Sequence, residues 1–446
     1  MPNGAVTKMS EAKVPTGWRE TPLASVADVR VSGVDKLARE SEEAVRLCNY
    51  IDVYNNDYIT GNLRFMEATA TTPEIERFGL RVGDVIITKD SETPDDIGIS
   101  AVVDYAAPDL VCGYHLALLR PNAREVDSTF FAKQLNHQRL SRYFGQRANG
   151  LTRYGLPNAV IANVPVWLPE LPKQKAIGAI LRLVDEAIAK TEAVIAKLKQ
   201  VRTGLLHDLL TRGLDENGLL RDPIAHPEQF QDSPLGRIPR EWQCRTLQDA
   251  AEWFSGGTPD RSQPSLWQGT VPLLTPKDMK VFELSDTSEH ISEAAVQIGS
   301  RLMPEGTVFI VVRGMILAHT FPVCLSTRPF GFNQDIKAVR GRTGLSNRFL
   351  SHWFAGNSAL FLRKATEATH GTKKLDLDEL HRVYIGVPPP VEQQAIVDRI
   401  QTIDSNIDCT TAEKTKLDLL KSGLMNDLLT GRVRVPEGIM DGALRP

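Results

Sequence analysis

The sequence lacks the features that mark membrane and secreted proteins. It contains no run of 18 or more apolar residues, which predicts that no segment spans a membrane. Its first 15 residues include no apolar stretch of the kind found in signal peptides. The five cysteines are odd in number, widely spaced and free of Cys-x-x-Cys pairs. This usage indicates a reducing cytoplasm and argues against a disulfide framework or a zinc knuckle.

Common catalytic signatures are also missing. The sequence has no Gly-x-x-x-x-Gly-Lys-Ser/Thr loop, which argues against P-loop binding of ATP. It has no Asn/Asp-Pro-Pro-aromatic motif for methylation of an amino group, and no acidic-x-Lys pair follows Asp95 as a nuclease centre would require. The nine histidines are scattered without HxH or HExxH spacing. We therefore predict a chain that is not an enzyme and that binds no metal or cofactor itself.

Length and charge limit the remaining classes. A chain of 446 residues is too long for one hydrophobic core and predicts several domains. The formal net charge of −3 is close to neutral, whereas free-standing nucleic-acid-binding proteins tend to be basic. A nearly neutral net charge remains compatible with local basic surfaces. It is also compatible with a protein that shares its DNA contacts with partner subunits.

What the sequence does contain is a long internal repeat. Residues 169–211 align without a gap on residues 388–430, and 16 of these 43 positions are identical. A repeat distance of 219 residues is far too long for a solenoid and indicates a duplicated module. Duplicated modules typically recognise a target that has two parts.

Each repeated segment is predicted to be a long helix. Apolar residues recur every seven positions over about five heptads, which is the pattern of a coiled coil, and a helix of this length would span roughly 60 Å. The residues predicted to pair the two helices, including one threonine in each, are Ile177, Val184, Thr191, Leu198 and Leu205 in the first copy and Ile396, Ile403, Thr410, Leu417 and Leu424 in the second. Prolines precede both segments, and Gly213 and Gly431 follow them as helix stops. The alternative is that each helix packs separately on its own domain.

Weaker correspondences extend the repeat to the segments before each helix. Gly83–Ile87 matches Gly306–Ile310, and both are glycine-led apolar runs that predict strands. The predicted boundaries are residues 1–168 for a first domain, 169–213 for a first spacer helix, 214–237 for a polar linker, 238–387 for a second domain, 388–431 for a second spacer helix and 432–446 for a tail. Outside these matches the halves differ, as expected of two related domains that recognise different things.

These motifs resemble the DNA-specificity subunits of type I restriction–modification systems, over essentially the whole chain. Each half opens with Pro-x-x-Trp and closes with Pro-x-x-x-x-Gln at the start of its long helix. The second half also has the Gly-Gly-Thr-Pro turn at Gly256–Pro259 and ends its helix at Leu428–Gly431. The first half departs from the pattern, because it has Ser32–Asp35 where that turn is expected.

The resemblance implies an α+β architecture in which two mixed α/β target-recognition domains are joined by two long antiparallel coiled-coil helices in a pseudo-twofold repeat. It implies that each domain reads one half of a bipartite double-stranded DNA site. The paired helices would set the spacing and dock two methyltransferase subunits, and two restriction–motor subunits can then join. S-adenosylmethionine, ATP and Mg²⁺ would be bound by those partners and not by this chain, in a cytoplasmic complex without a membrane.

Candidate DNA contacts lie mainly in two basic loops at matching positions and after the matched strands. The candidates are Arg147, Asn149, Arg153, Tyr154, Lys89 and Arg261 together with Arg313, Gln334, His370, Lys373 and Lys374. Basic side chains hold phosphates and polar ones read bases. The alternative for each is an ordinary solvated loop or turn, and Trp267 beside Arg261 is predicted to be a core anchor.

One other function class fits the same organisation. The chain would then be a coiled-coil interaction scaffold whose two domains bind proteins instead of DNA. Such a scaffold would show no affinity for DNA with any partner, and its basic loops would tolerate reversal to glutamate.

Overall fold

The computed structural model describes residues 13–367 and 372–436. The chain divides into two compact units, of which unit 1 holds Met1–Glu192 with Ala412–Pro446 and unit 2 holds Ala193–Thr411. Within the described residues, no helix is both long and apolar enough to cross a membrane.

Unit 1 combines short strands with short helices. Its strands are β1 (Arg19–Pro22), β2 (Ala27–Val31), β3 (Glu43–Cys48), β4 (Tyr58–Ile59), β5 (Met66–Ala70), β6 (Val85–Thr88), β7 (Asp90–Ser91), β8 (Ser100–Val103), β9 (Leu110–Cys112), β10 (Leu116–Pro121), β11 (Tyr154–Gly155) and β12 (Pro165–Leu168). Its short helices are α1 (Tyr50–Tyr54), α2 (Thr72–Phe78), α3 (Ser128–Leu135), α4 (Gln138–Gly145) and α5 (Asn158–Ala162). The long helix α6 (Leu171–Thr211) begins in this unit.

The main sheet of unit 1 is covered on both faces. It has five strands in the order β2-β10-β6-β8-β4, with β4 parallel to β8 and the other pairs antiparallel. Successive residues of a strand point to opposite faces. Accordingly Val85 and Ile87 belong to one apolar cluster and Ile86 to another. Burial on both faces explains why β6 is a continuous apolar run instead of an alternating one.

Unit 2 repeats this plan. Its strands are β13 (Phe230–Ser233), β14 (Gly236–Pro239), β15 (Gln243–Thr246), β16 (Ala251–Ser255), β17 (Val271–Leu274), β18 (Glu283–Leu284), β19 (His290–Ile291), β20 (Val308–Val311), β21 (Val323–Ser326), β22 (Gly331–Phe332), β23 (Ile336–Gly341), β24 (Thr366–Glu367), β25 (Lys373–Lys374) and β26 (Tyr384–Val387). Its short helices are α7 (Leu247–Ala250), α8 (Glu293–Gly299), α9 (Asn347–Gly356), α10 (Ser358–Lys364) and α11 (Leu377–His381). The long helix α12 (Pro390–Leu428) begins in this unit.

The five-stranded sheet of unit 2 corresponds to that of unit 1 strand by strand. Its order is β16-β23-β20-β21-β18, again with a parallel last pair. The strands predicted from the two glycine-led runs are confirmed as β6 and β20. The mixed α/β class and the internal repeat are therefore confirmed. The segment predicted as a polar linker also contains structure, because β13 and the first two residues of β14 lie within it and form a hairpin.

The two long helices are antiparallel within each unit. In unit 1, Glu192 and Asp185 of α6 form ion pairs with Lys414 and Lys421 of α12, at 3.1 and 2.8 Å. Residues nearer the N-terminus of α6 therefore pair with residues nearer the C-terminus of α12, which is the antiparallel arrangement.

Unit 2 contains the other halves of both helices in the same antiparallel relation. Arg202 of α6 forms a bidentate ion pair with Asp404 of α12. Leu206 and Leu209 of α6 share an apolar cluster with Ile396 and Ile400 of α12.

The residues predicted to pair the helices differ in burial. Ile177, Ile396 and Ile403 are buried, whereas Val184, Leu198, Leu205, Leu417 and Leu424 are half-buried. The hydroxyls of Thr191 and Thr410 donate to carbonyls of their own helices, at 2.8 and 2.7 Å. Their polar groups are thus satisfied without a partner helix.

The end of each long helix is closed by a glycine and a tryptophan. Gly213 and Gly431 have φ angles of 62° and 66°, a conformation that glycine adopts without strain. An added Cβ at Gly213 would lie 2.6 Å from the Trp242 ring, and one at Gly431 would lie 3.6 Å from the Trp18 ring. Each unit thus packs its Pro-x-x-Trp turn on the end of the long helix that terminates there.

The glutamine that follows each Pro-x-x-x-x spacing has a structural role that repeats in both units. Gln393 donates from Nε2 to the carbonyls of Gly344 and Pro388, both at 2.7 Å, and its Oε1 accepts from the Ser346 amide at 2.8 Å. Gln174 makes the same set of bonds in unit 1, to Glu125, Pro169 and Asp127. Each side chain is buried and ties the start of a long helix to the start of a short one.

Replacement of Gln393 by alanine is expected to destabilise unit 2 by about 3 kcal/mol, because buried backbone groups would lose their partners. Urea unfolding followed by hydrogen exchange of unit 2 peptides measures the loss. The neighbouring Gln394 is exposed and donates to Asp398, so Gln394→Ala is the matched control, with an expected change below about 0.5 kcal/mol. Equal effects of the two substitutions would contradict the assigned role.

Candidate nucleic-acid interface

Three segments that are distant in the sequence meet at one edge of unit 1. The Lys89 amide donates to the His115 carbonyl at 2.8 Å, and the Leu156 amide donates to the Lys89 carbonyl at 2.9 Å. Strand β11 pairs with β7, so that Gly155 lies opposite Asp90. We call this region surface 1 and define it as Lys89, Asp90, His115 and the segment 147–155.

A short closed hairpin dominates surface 1. Asn149 and Gly155 exchange two backbone hydrogen bonds, at 3.0 and 2.9 Å, and so close the loop between them. Gly150 has a φ angle of 151°, and an added Cβ there would collide with the Arg153 carbonyl. The tip residue Leu151 is 95% exposed. The hairpin therefore has a fixed backbone and presents its side chains to solvent.

The predicted residues of the first basic loop all belong to surface 1. Arg147 is exposed, and its guanidinium lies 4.0 Å from the Tyr143 ring centroid and donates to the Tyr143 carbonyl. Asn149 and Arg153 are exposed, and Tyr154 is half-buried in β11. Lys89 reaches the Asp90 carboxylate at 4.0 Å. The structure thus brings five of the predicted residues together.

Two residues that were absent from the sequence-based candidates lie in the same place. The His115 Nδ1 atom is 2.6 Å from the Asp90 carboxylate. His115 also has a φ angle of 71°, which is rare for a residue with a side chain and costs about 1–2 kcal/mol. The conformation of His115 and its contact with Asp90 depend on segments that are distant in the sequence, so no sequence pattern marked either residue.

Unit 2 builds a corresponding surface from corresponding segments. The Val312 amide donates to the Asp335 carbonyl at 2.8 Å, and the Leu375 amide donates to the Val312 carbonyl at 2.8 Å. Arg313 pairs with Lys374 in a β-bridge, where unit 1 pairs Asp90 with Gly155. We call this region surface 2 and define it as Arg313, the segment 333–335 and strands β24 and β25.

Surface 2 collects most of the candidates predicted in the second half. Lys373 lies 3.7 Å from Glu367 in the paired strands, and Lys374 is exposed. Gln334 accepts a hydrogen bond from the Thr258 hydroxyl at 2.7 Å, which links it to the Gly-Gly-Thr-Pro turn. His370, between the two strands, lies outside the described residues.

Arg261 occupies a different position. Its guanidinium forms two hydrogen bonds with Glu289, at 3.1 and 2.9 Å, and stacks 3.9 Å from the Trp267 ring centroid. The hydrogen bonds from Arg261 hold the pKa of Glu289 below its ordinary value. Trp267 packs against a small apolar cluster and donates to the Asp260 carbonyl at 3.1 Å. DNA contact by Arg261 stays a prediction, and it would have to compete with this ion pair.

The two surfaces share one frame, meaning the same arrangement of backbone hydrogen bonds and strand pairings, but they carry different side chains. Surface 1 offers a histidine oriented by a carboxylate and a basic hairpin, while surface 2 offers amide groups and clustered lysines. Within residues 13–367 and 372–436, no group of three or more His, Cys, Asp or Glu is arranged to hold a metal ion. Chemically, these surfaces can form hydrogen bonds and attract anions.

Comparison with known proteins gives one consistent family. The family model described as type I restriction modification DNA specificity domain matches residues 15–200 and again residues 239–419, which together are more than half of the chain. A putative type I restriction enzyme MjaX specificity subunit of Methanocaldococcus jannaschii is 22% identical over 443 residues, 96% of each chain. The EcoR124I/EcoR124II specificity subunit of Escherichia coli is 28% identical over 257 residues, 57% of this chain and 58% of that protein.

Solved structures with the same fold come from the same kind of system. A chain from a structure on complex assembly and conformational transition of the type I R-M system matches with a TM-score of 0.55 at 16% identity, covering 94% of this chain and all of that one. The S subunit of a type I restriction–modification system from M. genitalium matches with a TM-score of 0.53 at 14% identity, covering 94% and 97%. The resemblance inferred from the sequence is thus confirmed, and the chain belongs to the family of type I restriction–modification DNA specificity subunits.

Proposed function

We propose that this chain is the non-catalytic subunit that reads a bipartite, asymmetric DNA site, with surface 1 contacting one half-site and surface 2 the other. The observation that carries the proposal is the repetition of one frame with two different sets of polar and basic side chains. A repeated frame suits two targets of the same shape, which two stretches of B-DNA are. Different side chains suit two different base sequences.

The charges support DNA as the ligand of both surfaces. The chain is nearly neutral overall, yet Arg147 and Arg153 are exposed on surface 1, and Arg313 lies beside the two lysines of surface 2. Local cations of this kind hold phosphates, while neighbouring amide and imidazole groups contact base edges. Binding then needs no basic charge on the rest of the chain.

The long helices supply a surface for partner subunits. Val194 and Val201 of α6, both in unit 2, are about half exposed, and their spacing of 7 residues places them on one side of the helix. Such apolar residues on charged helices suit protein contacts. We propose that the helices dock two methyltransferase subunits and fix the gap between the half-sites, and that restriction–motor subunits join this complex. Catalysis, S-adenosylmethionine, ATP and Mg²⁺ would then belong to the partners, in the cytoplasm.

The deciding experiment is co-expression of this chain with its methyltransferase subunit, followed by mapping of methylated bases in the host DNA. We expect a single motif with two specified parts and a constant gap. A complex that assembles and binds S-adenosylmethionine but methylates nothing would contradict the proposal. Absence of DNA affinity with any partner would favour the protein-binding scaffold instead.

Reversal of charge on surface 2 is expected to weaken DNA binding without changing the motif. Lys373→Glu with Lys374→Glu removes two cations, which predicts at least about a hundredfold weaker binding near physiological salt and a salt slope smaller by about 2. Titration of the assembled complex with DNA at several salt concentrations measures both quantities. Lys280→Glu is the control, because Lys280 is exposed and lies outside surface 2. Equal weakening by both variants would refute the assignment of Lys373 and Lys374.

A further inference from the structure

We propose that His115 is a base-reading residue of unit 1, whose imidazole contacts one base pair in the major groove. The inference rests on the proposed function, because it assumes that surface 1 meets DNA. It goes further by assigning discrimination at one base pair to one side chain, while the basic residues around it hold phosphates.

The backbone at His115 is the first argument. Among the described residues, His115 is the one non-glycine residue with a positive φ angle, at 71°. Strain of this kind persists only where the surrounding structure imposes it, and it is concentrated at functional sites. A glycine at this position would relieve the strain, so the backbone conformation gives no reason to have a histidine here. The reason must lie in the imidazole.

The orientation of the ring is the second argument. The Asp90 carboxylate accepts from the His115 Nδ1–H at 2.6 Å. Asp90 is held in turn by the pairing of β7 with β11, and a Cβ added at Gly155 would come within 2.9 Å of the Asp90 carboxylate. A carboxylate bonded to one ring nitrogen fixes the tautomer and the direction of the other. Within the described residues, the His115 Nε2 atom has no hydrogen-bond partner.

The chemistry of the free nitrogen defines what it can contact. In the neutral form of the ring with Nδ1–H bonded to Asp90, the Nε2 atom is a hydrogen-bond acceptor. In the major groove, the amino groups N6 of adenine and N4 of cytosine are donors, and each kind of base pair places its donor differently along the edge. A fixed acceptor therefore discriminates between base pairs by position. The side chain is about a quarter exposed, so a base edge can approach it.

Surface 2 has a different side chain at the corresponding place. The Val312 amide donates to the Asp335 carbonyl as the Lys89 amide donates to the His115 carbonyl, so Asp335 corresponds to His115. The Asp335 carboxylate there accepts from the Asn333 Nδ2 at 3.1 Å. A different hydrogen-bonding side chain in an equivalent position is what two different half-sites require.

The test is His115→Gly in the full chain, co-expressed with the methyltransferase subunit. Methylation rates are compared on duplexes in which each specified base pair of the wild-type motif is replaced in turn. We expect a roughly 10- to 100-fold loss of discrimination at one base pair of one half-site, with the other positions unchanged. The melting temperature is expected to stay equal or to rise, because glycine removes the strained conformation. Asp90→Asn is expected to reduce discrimination at the same base pair to a smaller extent.

The control is His226→Gly, which removes another histidine paired with a carboxylate, here Glu228 at 3.2 Å on the surface of unit 2. It is expected to leave every position of the motif unchanged. An unchanged motif for His115→Gly would overturn the inference, as would a uniform loss of methylation at all positions together with a lower melting temperature. Absence of methylation by the wild-type complex would instead overturn the proposed function itself.

Discussion

Replacement of Lys133 by methionine is expected to lower the free energy of unfolding of unit 1 by about 3–5 kcal/mol, because it leaves two carboxylates, one of them buried, to share a single cation. The Lys133 side chain is only 2% exposed, and its ammonium lies 3.0 Å from Asp57 and 2.6 Å from Asp185. Lys421 from the end of α12 contacts the same two carboxylates, at 2.7 and 2.8 Å. The cluster thus has two cations and two anions, and the substitution unbalances it.

The cluster also sets the pH dependence of this effect. Burial alone would raise the pKa of Asp57, but Lys133 and Lys421 outweigh it and hold that pKa below its ordinary value. A carboxylate with a lowered pKa stabilises the fold above the pKa of the unfolded chain, and this stabilisation is lost as the pH falls through the folded value. The loss of unfolding free energy caused by Lys133→Met should therefore be largest near neutral pH and smaller in acid. Urea unfolding at several pH values, resolved by hydrogen exchange of unit 1 peptides, measures it.

The internal repeat supplies the matched control for Lys133. His352 occupies the position 219 residues later, on α9, and stacks on Phe282 with ring centroids 4.5 Å apart. Within the described residues, neither ring nitrogen of His352 has a hydrogen-bond partner. Its burial lowers the pKa of His352 to about 4, so the ring is neutral at pH 7. His352→Met is expected to cost little at pH 7, and a cost equal to that of Lys133→Met would contradict the charge-based explanation.

The second large effect is expected for Arg221→Met, at about 3–5 kcal/mol in unit 2. Arg221 and Glu392 have side chains that are 7% and 8% exposed, and their two contacts measure 2.6 and 3.2 Å. Glu392 also accepts from the Leu214 amide at 2.8 Å, directly after the glycine that ends α6. The carboxylate thus joins the first turn of α12 to the end of α6, and loss of the arginine would leave it buried and unpaired.

A double substitution separates the charge from the packing at this pair. Arg221→Met with Glu392→Leu removes both charges, and it is expected to recover most of the stability that Arg221→Met loses. Arg382→Met is the control for a surface pair, because Arg382 is 75% exposed beside Glu379 and should cost less than about 0.5 kcal/mol. A double variant as unstable as the single one would show that the packing of the replaced side chains, and not an unpaired charge, causes the loss of stability.

Local patterns in the sequence determined the secondary structure and the family. The heptads, prolines and stop glycines predicted α6 and α12 to within a few residues, because helix periodicity and capping act over neighbouring positions. The glycine-led run Gly83–Ile87 predicted a strand in the same way, and the strand is observed at Val85–Thr88. The order of these motifs and their repetition were enough to indicate a specificity subunit.

Only the tertiary structure decided which polar residues act together. His115, Asp90 and Gly155 are far apart in the chain, and no local period relates them; long-range strand pairing brings them into contact. The repeat aligned Lys133 with His352, but whether each is charged depends on the carboxylates that other segments place around it. Secondary structure follows from neighbours in the sequence, whereas the chemistry of a site follows from neighbours in space.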